Sequence, residues 1–504
     1  MIPGKATAKG TAEWAKSHPH LTYNPLDKTG LLVSEAGFGC YRVDGRFPHH
    51  RDAMLLAIQQ GINLLDTSTN YADGGSEKLV GQVLAELIAR GEVTREAIVV
   101  VSKAGYIQGE NYNMVQARKQ EGRPFPNVVK YAQGLDHCIH PEFLADQLDR
   151  SLNRLGLETI DCYLLHNPEY YLTWANRVGI PLAEARAEFY RRIEMAFQHL
   201  EEAVKNGRIQ WYGISANTFP QSPENPAFVS LEKVWQIATT ISANHHFRVI
   251  QFPMNLLETG GLTVKNQSGQ QSVLELAHKL ELGVLINRPL NAIQHESLIR
   301  LADVLTPSYP ATPEEVSTAV DTSVRIESEF RHKILPILPF DEETKQQLLE
   351  YLAVGIMLEG NWGGFGTYHN WRDVKDQFLL PRAQTAVQFL SKRPNLPAEV
   401  ISWLHEYVDA VNDTFSAVSA FYQEMAANRA RRLRETAVSA DTDWQAATLS
   451  QIAVRALRST TGITAVLVGM RHKDYVNDIL ADLKNPVSRH PRTESWSKIT
   501  QATP

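Results

Sequence analysis

The alternation of short apolar runs with amphipathic helical patterns is the feature that most restricts how this chain can fold. From about residue 31, runs such as 62–66 and 97–102 are rich in Val, Ile and Leu, which is typical of strands buried on both faces. Each run is followed by a segment with apolar residues three or four positions apart, such as 76–89. Seven strands in this alternation can be read up to residue 286. The pattern predicts a parallel sheet covered by helices.

The eighth strand that a closed barrel requires is displaced along the chain. A long, mostly helical segment follows the seventh strand, and only then come a helix at 444–457 and a strand at 463–468. We therefore predict an α/β protein, a (β/α)8 TIM barrel with a large, mostly helical insertion between the seventh strand and the closing helix and eighth strand. The predicted divisions are an N-terminal extension at 1–30, a barrel at 31–304 plus 442–486, the insertion at 305–441 and a polar tail at 487–504. An open doubly wound sheet is the alternative, but no G-x-G-x-x-G turn follows an early strand.

Composition places the chain among ordinary globular proteins and argues against several partners. Of its 504 residues, 43% are hydrophobic and 21% are charged. The net charge of -6 and the lack of a long basic stripe argue against nucleic acid as a partner. Cys40, Cys138 and Cys162 have no metal-site spacing and fit a reducing compartment. No apolar run is long enough to cross a membrane, and the polar N-terminus lacks the apolar region of a secretory signal. A cytoplasmic location is expected.

Polar residues mark the ends of three consecutive predicted strands. Asp66 ends the second strand and Tyr71 lies in the loop after it, while Lys103 ends the third strand and His166 ends the fourth. In a parallel barrel these ends meet at one face. Taken alone, each residue has an ordinary structural interpretation. Asp66 can cap the end of a strand, Tyr71 can pack against apolar neighbours, and His166 can be a structural histidine with its hydrogen bonds met nearby. Together they are explained by one site, and a Lys that ends a buried strand needs a partner.

This set of residues resembles the catalytic tetrad of the aldo-keto reductase family, in order and on the matching strands. Ser76, Glu77 and Gly81 also match, whereas Ala72 stands where relatives often have Gly. The resemblance covers residues 31–303 and 444–486. It implies an oxidoreductase that uses NADPH or NADH to reduce an aldehyde or ketone to an alcohol, or to oxidise a sugar or alcohol in reverse, by direct hydride transfer. The implied partner is a small carbonyl or sugar molecule.

The chemistry assigns a role to each member of the tetrad. Carbonyl reduction leaves charge on oxygen, so a proton donor must be close. Tyr71 is the predicted general acid/base, and the Lys103 ammonium is expected to lower the pKa of the Tyr71 phenol. Asp66 would anchor Lys103, and His166 would orient the carbonyl.

The resemblance also implies a set of cofactor-binding residues, with departures from the family pattern. Ser215 matches the carboxamide-binding serine, but Ala216 follows it where Asn is usual, and Asn217 stands one residue further on. Asn287 replaces an aromatic that often stacks on the nicotinamide. Arg288 reaches either the pyrophosphate or an acidic neighbour. The other implied residues are Gly39, Cys40, Tyr41, Asn167, Gln251 and Leu290.

The last strand leads into a loop that resembles the family's adenosine-phosphate loop. Its implied residues are Gly469, Arg471, Lys473 and Tyr475. Positive charge near a helix N-terminus suits a phosphate, which favours NADP(H), with NAD(H) as the alternative.

Two further segments leave alternatives open. The aromatic and glycine-rich stretch 360–371 either lines a substrate pocket or packs the insertion's own helices. The basic run 429–434 is interpreted as a solvated helix face, and the histidine pairs at 137/140 and 245/246 lack a third metal ligand nearby. The rival to an enzyme is a nucleotide-binding barrel without catalysis, acting as a redox sensor or interaction protein as in potassium-channel β subunits. A barrel of another reaction class, such as a lyase, is a third hypothesis.

Overall fold

The computed structural model describes residues 1–294 and 297–502 of the chain. Within them, eight parallel strands close into a barrel in the order in which they follow one another along the chain. The strands are β1 Ala36–Gly39, β2 Leu64–Asp66, β3 Val99–Ala104, β4 Ile160–His166, β5 Ile209–Ser215, β6 Phe247–Pro253, β7 Gly283–Asn287 and β8 Ala465–Val468. The predicted (β/α)8 barrel is confirmed.

Helices connect these strands, and four of the eight main helices begin with a side-chain N-cap. The main ones are α1 Pro48–Gln59, α2 Gly75–Ala89, α3 Pro141–Leu155, α4 Leu182–Lys205, α5 Leu231–Ile241, α6 Val273–Lys279, α7 Leu449–Arg458 and α8 Lys473–Leu483. Pro141 opens the first turn of α3, and Gly156 ends that helix at φ 65°. Ser272 and Glu275 form a reciprocal capping box on α6. Shorter helices lie in the loops at Gly109–Gln120, Tyr170–Arg177 and Gly260–Thr263.

The first thirty residues, predicted as an N-terminal extension, pack under the barrel. A helix spans Ala8–Ser17, and strand Tyr23–Pro25 pairs antiparallel with Leu32–Ser34. Because Leu32–Ser34 turns back in this way, only the second half of the predicted first strand, 31–41, joins the barrel. Leu26 is fully buried, and a Cβ built on Gly283 would lie 2.4 Å from its Cδ1. Apolar contacts of this kind close the N-terminal end of the barrel.

The chain divides into two compact units with boundaries that differ from the predicted ones. One unit comprises Met1–Ala292 and Thr436–Pro504, and the other comprises Ile293–Glu435. Short strands at Asn291–Gln294 and Ser297–Arg300 are followed by helices Pro313–Glu329, Glu342–Tyr351, Val354–Leu358, Tyr368–Val374, Leu380–Ser391 and Ala398–Ala440. The aromatic side chains of stretch 360–371 pack against the core of this second unit. Trp371 is fully buried there and donates a hydrogen bond to Ser419 Oγ at 2.9 Å.

Much of the predicted polar tail, 487–504, is helical rather than irregular. Helix Thr493–Ala502 buries Trp496 completely, and Trp496 Nε1 donates to Thr460 Oγ1 at 2.9 Å. Trp496 and Ile499 lie one turn apart and form a narrow apolar stripe that is easily missed in a polar segment. His295 and Glu296, in the predicted barrel, and Thr503 and Pro504, in the predicted tail, lie outside the described residues. Over the described part of the chain, no helix is long and apolar enough to span a membrane.

Candidate active site

Asp66, Lys103 and His166 converge because their strands are neighbours in parallel register. Asp66 and His166 are the last residues of β2 and β4, and Lys103 is the penultimate residue of β3. Lys103 Nζ donates to Asp66 Oδ2 and to Thr67 O, both at 2.7 Å. The Lys103 side chain is fully buried, so its charge is stable there only while Asp66 balances it.

Tyr71 lies over this ion pair on an unusual turn. Lys103 Nζ is 5.0 Å from the centre of the Tyr71 ring, and the His166 ring is 5.9 Å away, edge to face. Ala72 and Asp73, which follow, have φ values of 48° and 55°. These left-handed conformations cost less at Gly, the residue that relatives often have in place of Ala72.

The proton affinity of Tyr71 differs from the prediction. Burial raises the pKa of the Tyr71 phenol well above its ordinary value, and the nearby Asp66 carboxylate adds to this effect. The Lys103 ammonium, which donates to Asp66 and to Thr67 O, does not reverse this rise. Tyr71 is therefore a neutral hydroxyl that can donate a proton.

His166 is neutral for the complementary reason. Burial and the Lys103 charge lower the pKa of the His166 imidazole well below its ordinary value. His166 Nδ1 lies 3.0 Å from Ser68 Oγ, and the Tyr106 ring packs edge-on at 4.7 Å. Ser68 was not predicted as a site residue, although its place two residues after the strand end would have pointed to it.

An amide network links the tetrad to the strands on the far side of the barrel. Gln251 Nε2 donates to Asp66 Oδ1 at 2.9 Å. Gln251 Oε1 accepts from Ser215 Oγ at 3.0 Å and from Asn287 Nδ2 at 3.3 Å. The predicted site residues Asp66, Ser215 and Gln251 thus form one hydrogen-bonded group, which Asn287 on β7 joins.

Comparison with known proteins agrees with this geometry. Residues 37–305, more than half of the chain, match the model of the Aldo/keto reductase family. This chain belongs to the aldo/keto reductase family.

Its curated relatives match over part of their length. The NADH-specific methylglyoxal reductase of Escherichia coli (strain K12) is 30% identical over 219 residues, which cover 40% of this chain and 60% of that protein. The 6-dehydroglucose reductase of Novosphingobium aromaticivorans is 28% identical over 210 residues, which cover 40% of this chain and 53% of that protein. A solved aldo-keto reductase from Bacillus halodurans, in its holo form, aligns with 96% of this chain and 98% of its own at 15% identity, with a TM-score of 0.43.

The predicted cofactor residues of this aldo/keto reductase lie around the same barrel mouth. Gly39 ends β1, where a Cβ would approach the Val468 backbone at 3.3 Å. Cys40 is buried, whereas Tyr41 is 59% exposed with its ring 5.3 Å from that of Tyr71. Leu290 is buried after β7. Their contact with a cofactor stays a prediction.

Two of the predicted phosphate-binding cations have acidic partners. Arg288 Nη2 lies 2.6 Å from Glu258 Oε1, which is the alternative contact considered for it. Lys473 Nζ lies 3.3 Å from Asp52 Oδ2. Near Gly469 and Arg471, the Tyr475 ring lies 5.2 Å from His472, and His472 stacks on His49 at 4.5 Å. The phosphate end of the predicted cofactor site therefore carries less free positive charge than the sequence indicated.

The residues at the mouth fit a nicotinamide group. Buried polar atoms that have no hydrogen-bond partner among the described residues include Glu169 Oε2 and Asn287 Oδ1. Such acceptors are costly unless a ligand or water satisfies them, and an amide N–H group would do so. Within residues 1–294 and 297–502, no cluster of three His, Cys, Asp or Glu is arranged to hold a metal ion.

Proposed function

We propose that this chain is an NAD(P)H-dependent oxidoreductase that reduces an aldehyde or ketone to an alcohol, or oxidises a sugar or alcohol in reverse. The observation that carries the proposal is the buried Lys103–Asp66 ion pair beneath Tyr71, with His166 beside it. A bound nicotinamide would supply the hydride. Membership of the family and the names of the two relatives, both reductases of small carbonyl compounds, support the proposal.

The proposed role of Tyr71 is to give its hydroxyl proton to the carbonyl oxygen as charge develops there. The Lys103 charge would stabilise the phenolate that remains, and Asp66 would keep the ammonium in place. His166 would orient the carbonyl through an Nε2–H group. The contact of His166 Nδ1 with Ser68 Oγ, at 3.0 Å, would hold the imidazole ring in this orientation.

The proposed cofactor is NADP(H), with NAD(H) as the alternative. Ser215, Gln251 and Asn287 are the proposed residues at the nicotinamide end, and Arg471 is proposed at the phosphate end. The Lys473–Asp52 pair weakens the preference for the extra phosphate of NADP(H). A reducing, cytoplasmic location is proposed with this function because all three cysteines are free and buried.

The test begins with titration of the purified protein with NADPH and NADH by tryptophan fluorescence. The better cofactor is then used with a panel of aldehydes that includes methylglyoxal and sugars. Tyr71→Phe should lower the turnover rate by about 10²–10⁴-fold with little change in cofactor affinity, since it removes only the proton donor.

Tyr163→Phe is the matched control, because it removes a buried hydroxyl on β4 that has no partner among the described residues. This variant should keep its activity. An unchanged rate in Tyr71→Phe would exclude the proposed proton donor. Cofactor binding without turnover of any carbonyl would favour the non-catalytic alternative.

A further inference from the structure

Glu169 is a buried carboxyl group that the proposed tetrad does not use. It lies three residues after His166, before helix Tyr170–Arg177, and is 2% exposed. Its Oε1 accepts hydrogen bonds from Asn167 Nδ2 at 2.8 Å and from the Asn217 backbone N–H at 2.7 Å. Its Oε2 is buried and has no hydrogen-bond partner among the described residues. One oxygen of this carboxyl group is therefore hydrogen-bonded, and the other is not.

The surroundings of Glu169 place it at the barrel mouth. Asn217 follows β5, and the charges that act on Glu169 include Arg288, which follows β7 on the other side of the mouth. Burial raises the pKa of Tyr106, which follows β3, and the Glu169 charge adds to this rise. The guanidinium of Arg288 forms its ion pair with Glu258 and leaves the Glu169 Oε2 atom unpaired. Burial raises the pKa of the Glu169 carboxyl to about 7, and a hydrogen-bond donor at Oε2 would favour its charged form.

The neighbouring acceptors cannot bind an amide N–H group as freely. Gln251 Oε1 already accepts two hydrogen bonds, from Ser215 and Asn287, and a carbonyl oxygen has two lone pairs. Ala216, next to Ser215, has no polar side chain. Glu169 Oε2, Asn287 Oδ1 and the Thr69 hydroxyl are buried acceptors near the strand ends that remain unpaired within the described part of the chain, and of these three only Glu169 Oε2 belongs to a carboxyl group.

We propose that Glu169 is a cofactor-binding residue whose Oε2 accepts a hydrogen bond from the amide nitrogen of the nicotinamide. Its Oε1 at the same time holds the loops after β4 and β5 together through Asn167 and Asn217. Asn167 is fixed from its other side as well, because its Oδ1 accepts from Tyr106 OH at 3.2 Å. This inference rests on the proposed function, since it needs a bound nicotinamide cofactor.

The test compares two ligands that differ at the amide group only. NADP⁺ and its 3-acetylpyridine analogue, in which a methyl group replaces the amide nitrogen, are titrated by calorimetry without substrate. The wild-type protein should bind NADP⁺ at least about 10-fold more tightly, because a hydrogen bond to a charged acceptor is lost with the analogue. In Glu169→Gln this ratio should fall to within about 3-fold of one, since an NH₂ group then faces the ligand.

Glu327→Gln is the matched control. Glu327 is also buried with a pKa raised to about 7, but it belongs to the second unit and accepts from the backbone of Gly355 and Ile356. This variant should keep the wild-type ratio.

Three outcomes would overturn the inference. The first is a wild-type protein that binds both ligands equally, which needs no variant to fold. The second is an unchanged ratio in Glu169→Gln, and the third is an equal loss of affinity for both ligands, which would indicate a structural role only. In each of these cases the proposed reduction stands, whereas a wild-type protein that binds no nicotinamide nucleotide overturns both proposals.

Discussion

Tyr71 and His166 lie side by side, and burial moves their proton affinities in opposite directions. The pKa of the Tyr71 phenol is raised and that of the His166 imidazole is lowered. Both groups are consequently neutral over the range in which most proteins work. A neutral phenol is the form that reduction needs, whereas oxidation of an alcohol needs the phenolate.

The need for a phenol in one direction and a phenolate in the other predicts how the rates of reduction and oxidation depend on pH. The kcat for reduction, at saturating cofactor and carbonyl, should stay constant between about pH 6 and pH 9, because neither group titrates there. The kcat for oxidation should rise with pH over the same range, because the phenolate fraction of Tyr71 increases. Steady-state rates in both directions, in buffers of constant ionic strength, measure this. A reduction rate that falls steadily above neutral pH would show that Lys103 lowers the Tyr71 pKa in the working complex.

Asp66, Lys103 and His166 could be predicted from sequence because each lies at or next to the end of a strand and has a side chain unsuited to a buried strand, and Tyr71 because it lies in the loop after Asp66. Ser68 and Glu169 were missed because their roles depend on which loops meet across the mouth. Glu169 contacts Asn217, which lies in a different loop and is 48 positions away. The rise in the Tyr71 pKa was also unpredictable, since it comes first from the burial of the ring and then from the nearby Asp66 carboxylate.

Among the elements, the contact of α2 with α3 is one that a single methyl group would disrupt. Gly81 lies on the buried face of α2, and a Cβ there would lie 2.4 Å from the Leu155 carbonyl oxygen at the end of α3. That oxygen is a backbone atom and cannot move aside without shifting the helix.

We expect Gly81→Ala to destabilise the fold by about 1–3 kcal/mol, even though Ala favours helices, because the two helices must separate. Urea unfolding followed by circular dichroism measures the change. Gly364→Ala is the control, since a Cβ at Gly364 would meet no atom within 4 Å. Equal stability of the two variants would show that the helices adjust without cost.

Some helices were predictable to the residue and others were not. Amphipathic patterns at 141–155 and 231–241 predict helices there, and the observed bounds of α3 and α5 are the same. The helical pattern in the sequence predicts that α4 starts at Arg191, but the helix begins at Leu182. Only Ala185 and Phe189 of residues 182–190 are buried, so the apolar pattern there is weak. The strand predicted at 31–41 divides because Leu32–Ser34 pairs outside the barrel, a tertiary contact that local pattern does not encode.

At the scale of the whole molecule, the last helix is part of the barrel unit. Trp496 packs at 5.0 Å from Trp444, which precedes α7, and donates to Thr460 after it. The C-terminal helix therefore supports the helix that leads into β8.

Trp496→Ala should lower the free energy of unfolding by about 3–5 kcal/mol, because it leaves a large cavity between these helices. Differential scanning calorimetry of the full chain would detect the change as a lower Tm. Lys498→Ala, on the exposed side of the same helix, should leave the Tm almost unchanged. A Tm for Trp496→Ala equal to that of Lys498→Ala would mean that this helix is not needed for stability.

The displaced last strand also sets an order of events during synthesis. Leu285 on β7 pairs with Ala465 on β8, although the whole of Ile293–Glu435 lies between them in the chain. Until the ribosome has released β8, the neighbouring edges of β7 and β1 have unpaired N–H and C=O groups, and such edges bind other chains. Folding of residues 293–435 before β8 appears would shorten the free loop and reduce the entropy cost of closure. The insertion therefore delays closure of the barrel during synthesis until residues 293–435 have been made.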